Sequence, residues 1–332
     1  MAKADTQIFV SGGTGLVGSH LLRQLLDGGY QRIRAIRRPS SSMELVKDIA
    51  DRIEWVEGDI LDVFFLDDAM ADVQQVYHAA AVISSQPAEE AFMRQVNVEG
   101  TANMVNAALM AGVEKFLHVS SIAAIGRRKN GEHISEQSKW ERGPLNSPYG
   151  ISKYLAEQEA WRGMAEGLCV VVINPAIVFG KGHWDSGTGQ FFNKVWNGLR
   201  FYPIGGSAFV DARDVAQMSI ALMESDIQNK RFISAAENKS YQEIFSLIAE
   251  ALGKKSPTIK VPPLLAKSAA ALLHIPSKIL GTQSPLPVDI ARLTANTFYY
   301  DNRRSIKELQ FSYTPLNDTI RQVCDQFLAE HP

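Results

Sequence analysis

The stretch Ser11-Gly12-Gly13-Thr14-Gly15-Leu16-Val17-Gly18 constrains the fold of this 332-residue chain more than any other. It follows the apolar run Ile8-Phe9-Val10 and opens a helical pattern at Leu16, with glycines at 12, 15 and 18. A chain that leaves a strand, turns at once and enters a helix gathers main-chain N–H groups at the positive end of that helix, and this arrangement holds a pyrophosphate. Gly12 is expected to permit the turn, Gly15 to let the backbone approach the phosphates, and Gly18 to let the helix lie close to the strand. Thr14, Leu16 and Val17 belong to the same expected dinucleotide contact.

Around that turn, short β-branched or apolar runs alternate with longer helical patterns. Strands are expected at Gln7 to Val10, Ile33 to Ile36, Ile53 to Val56, Val73 to His78, Lys115 to Ser120 and Cys169 to Asn174. Helices are expected at Leu16 to Asp27, Phe64 to Met70, Ala91 to Ala111 and Tyr149 to Ala165. Such alternation predicts an α/β fold, a doubly wound parallel sheet of the Rossmann type. After Pro175, Gly and Pro crowd Gly180-Lys181-Gly182, Gly187, Gly189 and Pro203-Ile204-Gly205-Gly206, which read as loops. Helical patterns follow at Val215 to Glu224, Tyr241 to Leu252, Leu264 to Leu273 and Leu316 to Leu328. The division expected is 1–175 as a dinucleotide-binding domain with the catalytic residues, and 176–332 as mainly a smaller mixed α/β substrate lobe. A segment near 207–225 is expected to return to the first domain, because Phe209-Val210-Asp211 reads as a strand that could rejoin the main sheet.

An NAD-binding chain of this kind carries Asp or Glu after its second strand, where the carboxylate holds a ribose hydroxyl. Here that place reads Ile36-Arg37-Arg38-Pro39-Ser40, with no carboxylate before Glu44. A guanidinium grips a 2′-phosphate through paired charge-assisted hydrogen bonds. NADP(H) is therefore expected over NAD(H), with Arg37 as first contact and Arg38 as second; the other reading leaves both arginines solvated. Asp59 and Ile60, after the third strand, are placed at the adenine. The small side chains of Ala79, Ala80 and Ala81, after the fourth, would let the nicotinamide ribose lie against the backbone.

Composition excludes more than it selects. A formal net charge of -2 with scattered Lys and Arg offers no basic face, so no nucleic-acid partner is expected. The N-terminal apolar run is too short for a signal-peptide core, and a cytoplasmic protein is expected. Val261 to Leu280 is the most membrane-like stretch, but lysines, a histidine and prolines interrupt it, so no transmembrane segment is expected. A helix over the substrate site and a peripheral membrane contact remain the two readings of that stretch. Cys169 and Cys324 lack metal-ligand spacing and are expected as buried thiols, with no metal site.

Tyr149-Gly150-Ile151-Ser152-Lys153 opens the helix after the fifth strand, and residues four apart share one helical face. Tyr-x-x-x-Lys alone is common in helices; its place at the carboxyl edge of a dinucleotide-binding sheet is what points to catalysis. An ammonium beside a phenol favours phenolate, so Lys153 is expected to lower the Tyr149 pKa and suit it to acid–base work. Lys153 would also hydrogen-bond the nicotinamide ribose, and Ser121, just past the fifth strand, could hold the substrate oxygen.

With these residues in place, the chain resembles an extended short-chain dehydrogenase/reductase, within the NAD-dependent epimerase/dehydratase superfamily. The resemblance rests on Ser11 to Gly18, Gly58-Asp59, His78-Ala79-Ala80, Asn97-Val98-Glu99-Gly100-Thr101, His118-Val119-Ser120-Ser121, Tyr149 to Lys153, Asn174 to Gly180 and Phe209 to Ala216. It implies that Ser121, Tyr149 and Lys153 are catalytic, with Asn97 and Ser120 in support. It also implies that Pro175, Ile177 and Val178 line the nicotinamide amide.

Arg37 and the tail Phe298 to Leu309 resemble the dihydroflavonol 4-reductase-like branch, which implies an NADPH-dependent reductase of a small carbonyl compound, or dehydrogenase of the alcohol. Gly126 stands where plant members carry an Asn that grips the flavonoid. Ile122 and Ala123 stand where family dehydratases carry an Asp-Glu pair, which argues against dehydration. A nucleotide-sugar epimerase with retained NAD, a 3β-hydroxysteroid dehydrogenase-like enzyme and a non-catalytic NADP(H) sensor are the alternatives. Superfamily members often dimerise through the helices represented here by Ala91 to Ala111 and Tyr149 to Ala165, so a homodimer is possible on this reading. Phe191, Phe192, Trp196, Phe201 and Tyr202 read either as core or as the wall of an aromatic pocket.

Overall fold

The structure is a computed structural model that describes residues 3–127, 132–263 and 288–331. The principal strands are β1 (Gln7–Ser11), β2 (Arg32–Arg37), β3 (Glu54–Glu57), β4 (Gln75–His78), β5 (Lys115–Val119), β6 (Val170–Pro175), β7 (Ile177–Phe179), β8 (Gly206–Asp211), β9 (Lys230–Ser234) and β10 (Glu237–Ser240). Seven of them form one parallel sheet in the order β3-β2-β1-β4-β5-β6-β9. The strand order reverses between β1 and β4, and ligands of such sheets bind in the crevice at the carboxyl ends there.

β1 is buried at every residue, as a central parallel strand covered on both faces must be. Its side chains alternate between two cores. Ile8 and Val10 join Leu21, Leu22 and Leu25 of α1 (Leu16–Asp27). Phe9 joins the opposite core, with Leu66 of α2 (Val63–Ala69), Met104, Val105 and Ala108 of α4 (Gly100–Met110), and Ala160 of α5 (Pro148–Ala165). The helix expected over Ala91 to Ala111 is interrupted: α3 (Glu90–Arg94) and α4 flank a π-helical turn at Gln95–Glu99, a local widening often found at functional sites.

Two departures from the sequence reading concern the last strands. Phe209 to Asp211 do form a strand, but β8 pairs with β7 and β10 in a separate three-stranded sheet and does not rejoin the main one. What returns is the next helix, α7 (Ala212–Glu224), which lies on α1 and accepts a hydrogen bond at the Arg213 carbonyl from Gln24 Nε2, 3.0 Å. It delivers β9 to the edge beside β6, a strand missed in the sequence because Lys230-Arg231-Phe232-Ile233-Ser234 has only two apolar residues between charges. A third core joins Phe179, Phe192 and Phe209 to Ile244 and Ile248 of α8 (Tyr241–Ala251) and to Phe327 of the helix Leu316–Glu330. Phe192 and Tyr202 are thus core residues, while Phe201 is exposed. The helical pattern at Leu264 to Leu273 lies outside the described residues.

Candidate active site

Gly12 has φ 73°, a left-handed conformation that glycine adopts freely, and a Cβ built there would stand 2.6 Å from Ala79 C and Ala80 N. The turn therefore rests directly on the exit of β4. A Cβ at Gly18 would overlap the Gly12 carbonyl oxygen. Gly15 donates its N–H to that same carbonyl, 3.0 Å, and stands at the head of α1, where no side chain caps the first turn and no carboxylate enters it. The free N–H groups and helix field there suit an anion.

Gly12, Thr14, Gly15, Arg37, Arg38, Asp59, Ile60, Ala79, Ala80 and Ala81 line one cleft, joined by Ile36, Ser41, Gly58, Val82 and Val96. Leu16 and Val17 continue the turn into α1. Asp59 Oδ1 accepts the Leu61 N–H at 3.0 Å, which closes the turn after β3 and presents Ile60 to the cleft. The two arginines differ. The β2–β3 register sets Arg37 opposite Glu57, and their side chains form an ion pair, Nη2 to Oε2 2.9 Å. The carboxylate missing from the sequence around Arg37 thus arrives from the neighbouring strand. Arg38 is exposed and makes no ion pair among the described residues.

Beneath the cleft a chain of hydrogen bonds ties β1 to α4. The Ala80 N–H donates to Ser11 Oγ at 3.2 Å, and Ser11 Oγ meets His78 Nδ1 at 2.7 Å. His78 Nε2 meets Thr101 Oγ1 at 2.9 Å, and that hydroxyl donates to the Asn97 carbonyl at 2.6 Å. Because Thr101 spends its proton on Asn97, the network assigns the His78 proton to Nε2 and leaves Nδ1 to accept from Ser11. Burial, with the Lys153 charge adding to it, lowers the His78 pKa to about 3 and keeps the ring neutral.

Ser121 follows β5 and caps a short turn, accepting the Ala123 N–H at 3.1 Å. Ser147 caps α5 by accepting from Gly150 N at 3.1 Å, and Pro148 at its first position sets Tyr149 and Lys153 on the sheet-facing side. Burial raises the Tyr149 pKa; the Ser121 hydroxyl, which donates to the phenol, and the Arg127 guanidinium oppose it without reversing it. This corrects the sequence expectation, in which the Lys153 ammonium lowered the phenol. Lys153 instead is only 2% exposed and donates to the Val119 carbonyl at 2.9 Å. Burial brings its own pKa down to about 8, against the pull of Glu157. The phenol is therefore a proton donor at neutral pH.

Asn97 sits in the π-helical turn. Its amide donates to the Val82 carbonyl and to Ser152 Oγ, both 2.9 Å, and its Oδ1 accepts the Val82 N–H at 2.7 Å. It joins the exit of β4 to the catalytic helix. Ser120 donates to Glu157 Oε2 at 2.7 Å. Pro175 ends β6, and Ile177 and Val178 lie in β7, outside the cleft and past Asn174, whose amide donates to the Ser121 carbonyl at 3.0 Å. Cys324 is buried as expected, whereas Cys169 is only half-buried. Glu57, Glu157 and Arg231 went unnoticed in the sequence; only the spacing of Glu157 four residues past Lys153 hinted at any of them.

The doubly wound parallel sheet, the glycine turn at the head of α1, and Ser121, Tyr149 and Lys153 at the carboxyl end of the strands define an extended short-chain dehydrogenase/reductase. The chain belongs to the NAD dependent epimerase/dehydratase family, whose profile matches residues 8–235. A protein of Synechocystis sp. named "Putative dihydroflavonol 4-reductase" is 31% identical over 98% of this chain and 96% of its own length. Cinnamoyl-CoA reductase 1 of Petunia hybrida is 27% identical over 69% of this chain and 72% of its own. Among solved structures, gox2253 is similar over 98% of this chain and 99% of its own, with TM-score 0.85 and 26% identity. No helix of the described residues is long and apolar enough to cross a membrane.

Proposed function

We propose that the protein is an NADP(H)-dependent reductase of a small ketone or aldehyde, or dehydrogenase of the corresponding alcohol, with 176–332 supplying most of the substrate lobe. The observation that carries this reading is a protonated Tyr149, bonded to the Ser121 hydroxyl, at the edge of a cleft suited to a dinucleotide. The relatives named as dihydroflavonol and cinnamoyl-CoA reductases support the same class.

The N–H groups of Gly15 to Val17 would hold the pyrophosphate, and Ile36, Arg38, Asp59 and Ile60 the adenosine end. Bound there, the nicotinamide ring supplies the hydride for reduction or takes it up in oxidation. Ser121 and Tyr149 would hydrogen-bond the carbonyl oxygen of the substrate, and Tyr149 would give that oxygen its proton as charge develops on it. Lys153, cationic below its pKa of about 8, favours the phenolate left behind. Ile122 and Ala123 bring no carboxyl group to the substrate at the place where dehydration would need one. Arg38, free of any ion pair among the described residues, is the better placed of the two arginines to meet a 2′-phosphate.

Glu57 favours a second reading. Its carboxylate, paired with Arg37 beside the cleft, could serve a ribose hydroxyl and so an NAD retained for epimerisation. Denaturing the purified protein, identifying the released dinucleotide and measuring its exchange separates the two. Exchangeable NADP(H) with turnover on a carbonyl panel supports the reductase; NAD held at full occupancy and not exchanged overturns it. A homodimer through the α3–α4 and α5 faces belongs to the same proposal and is checked by mass in solution.

A further inference from the structure

A buried ionic group lies behind the catalytic helix and takes no part in the mechanism above. Glu157, 1% exposed, stands one turn past Lys153 on α5. Its Oε2 accepts from Ser120 Oγ at 2.7 Å and Asn174 Nδ2 at 2.8 Å, and its Oε1 from Arg231 Nη1 at 3.1 Å and Trp161 Nε1 at 3.2 Å. Every donor is accounted for from three different strands and the helix itself. The Asn174 amide also donates to the Ser121 carbonyl, so the carboxylate grips Ser121 from both sides, through Ser120 and through Asn174.

Arg231 comes from β9, the strand that completes the sheet. Beyond Glu157, its Nε and Nη2 donate to the Glu136 carbonyl at 2.9 and 2.6 Å, and Nη2 to the Ser138 carbonyl at 3.1 Å. One guanidinium therefore links the carboxylate behind Lys153 to the segment that leads into Tyr149. A buried ion pair of this kind adds little net stability over well-packed apolar residues, so its presence beside a catalytic site calls for another account.

We propose that Glu157, held by Arg231, is a positioning residue for the reaction: it fixes the Ser120–Ser121 backbone and provides the counter-charge that keeps Lys153 cationic. The inference rests on the reductase reading for its kinetic consequence but not for its electrostatic one. Five groups face Lys153. Tyr149 and Glu157 share its helix, and the His78 and His118 rings, from β4 and β5, are both kept neutral by burial. Arg231 from β9 acts through Glu157. Of these, only Glu157 opposes the burial that draws the Lys153 pKa down to about 8.

The test uses two substitutions with opposite expected signs. Glu157→Gln keeps the shape but removes the charge, so Lys153 loses its proton more readily. The alkaline limb of kcat/KM moves down by about one unit, the lower end of what a nearby opposite charge produces. Arg231→Met leaves the carboxylate uncompensated and moves the limb up, and Arg231→Lys restores it toward the wild-type position. Titration of the Lys153 Cε resonance by NMR, assigned by its loss in Lys153→Arg, reads the same shifts without any substrate. Wild-type protein lacking turnover on every carbonyl would count against the reductase reading and leave the NMR result to judge this one. Titration curves that superimpose for wild type and both charge variants, with only the melting temperature lowered, would reduce the group to a structural strut. If Glu157→Gln does not fold, the upward shift in Arg231→Met decides.

Discussion

Three glycines allow the turn and the cofactor contact to be separated by experiment. At Gly12, φ is 73° and an added Cβ meets main-chain atoms of Ala79 and Ala80 at 2.6 Å, none of which can swing away. Alanine there costs about 1–2 kcal/mol for a left-handed side chain and about 1–3 kcal/mol for overpacking, or roughly 2–5 kcal/mol in all. At Gly29, φ is 89° but nothing lies within 4 Å of the new Cβ, so only the conformational part, about 1–2 kcal/mol, remains. At Gly15, φ is -88° and the Cβ would touch only the Gly12 carbonyl oxygen at 3.4 Å. Gly15→Ala should cost no more than about 1 kcal/mol as a changed helix cap, yet place a methyl group where the phosphates approach. Its dinucleotide affinity is expected to fall at least tenfold, about 1.4 kcal/mol. Urea unfolding gives the stabilities, and quenching of tryptophan fluorescence by added dinucleotide gives the affinities. Gly15→Ala binding as tightly as wild type, or Gly12→Ala matching Gly29→Ala in stability, would refute the geometry of the turn.

Other consequences are equally direct. Tyr149→Phe is expected to keep dinucleotide affinity and lose about 10²- to 10⁴-fold in turnover, the usual worth of a positioned proton donor; full activity would show that the proton comes from elsewhere. Arg38→Ala should lower the NADPH/NADH affinity ratio more than Arg37→Ala does, and Glu57→Gln, by releasing Arg37, should raise it; equal ratios in all three would remove both arginines from the 2′-phosphate contact. Stability should fall as pH drops below about 6.5. His78 is neutral in the fold, with its pKa lowered from 6.5 to about 3, so the unfolded chain binds the proton first and draws the equilibrium toward unfolding between those values. Between pH 6.5 and 5 this one residue contributes about 2 kcal/mol of loss, with His118 acting in the same direction. Unfolding free energies that stay level from pH 7 to 5 would show that these rings are not buried neutral.

Local pattern sufficed wherever the fold repeats a short-range rule. Six of the seven main strands were legible as apolar runs, because a strand buried on both faces has no room for charge. The glycine turn was legible because its conformation and close approaches admit no side chain at Gly12 and Gly18. Tyr149 and Lys153 could be paired because the helical period alone places them on one face.

Everything that depends on distance across the sequence was decided by the tertiary structure. β9 has a charged, unremarkable sequence and becomes a strand only because α7 carries it to the open edge of β6. Arg37 meets Glu57 through the β2–β3 register, and Arg231 meets Glu157 across 74 residues. The sign of the Tyr149 shift was decided in the same way. A sequence can show that a lysine lies one turn from a phenol, but which wins, the ammonium or the loss of water, depends on how deeply each is buried and where the ammonium points. In the folded protein Lys153 turns to the Val119 carbonyl, and desolvation wins. Charge interactions and burial are set by three-dimensional distances that no single segment carries.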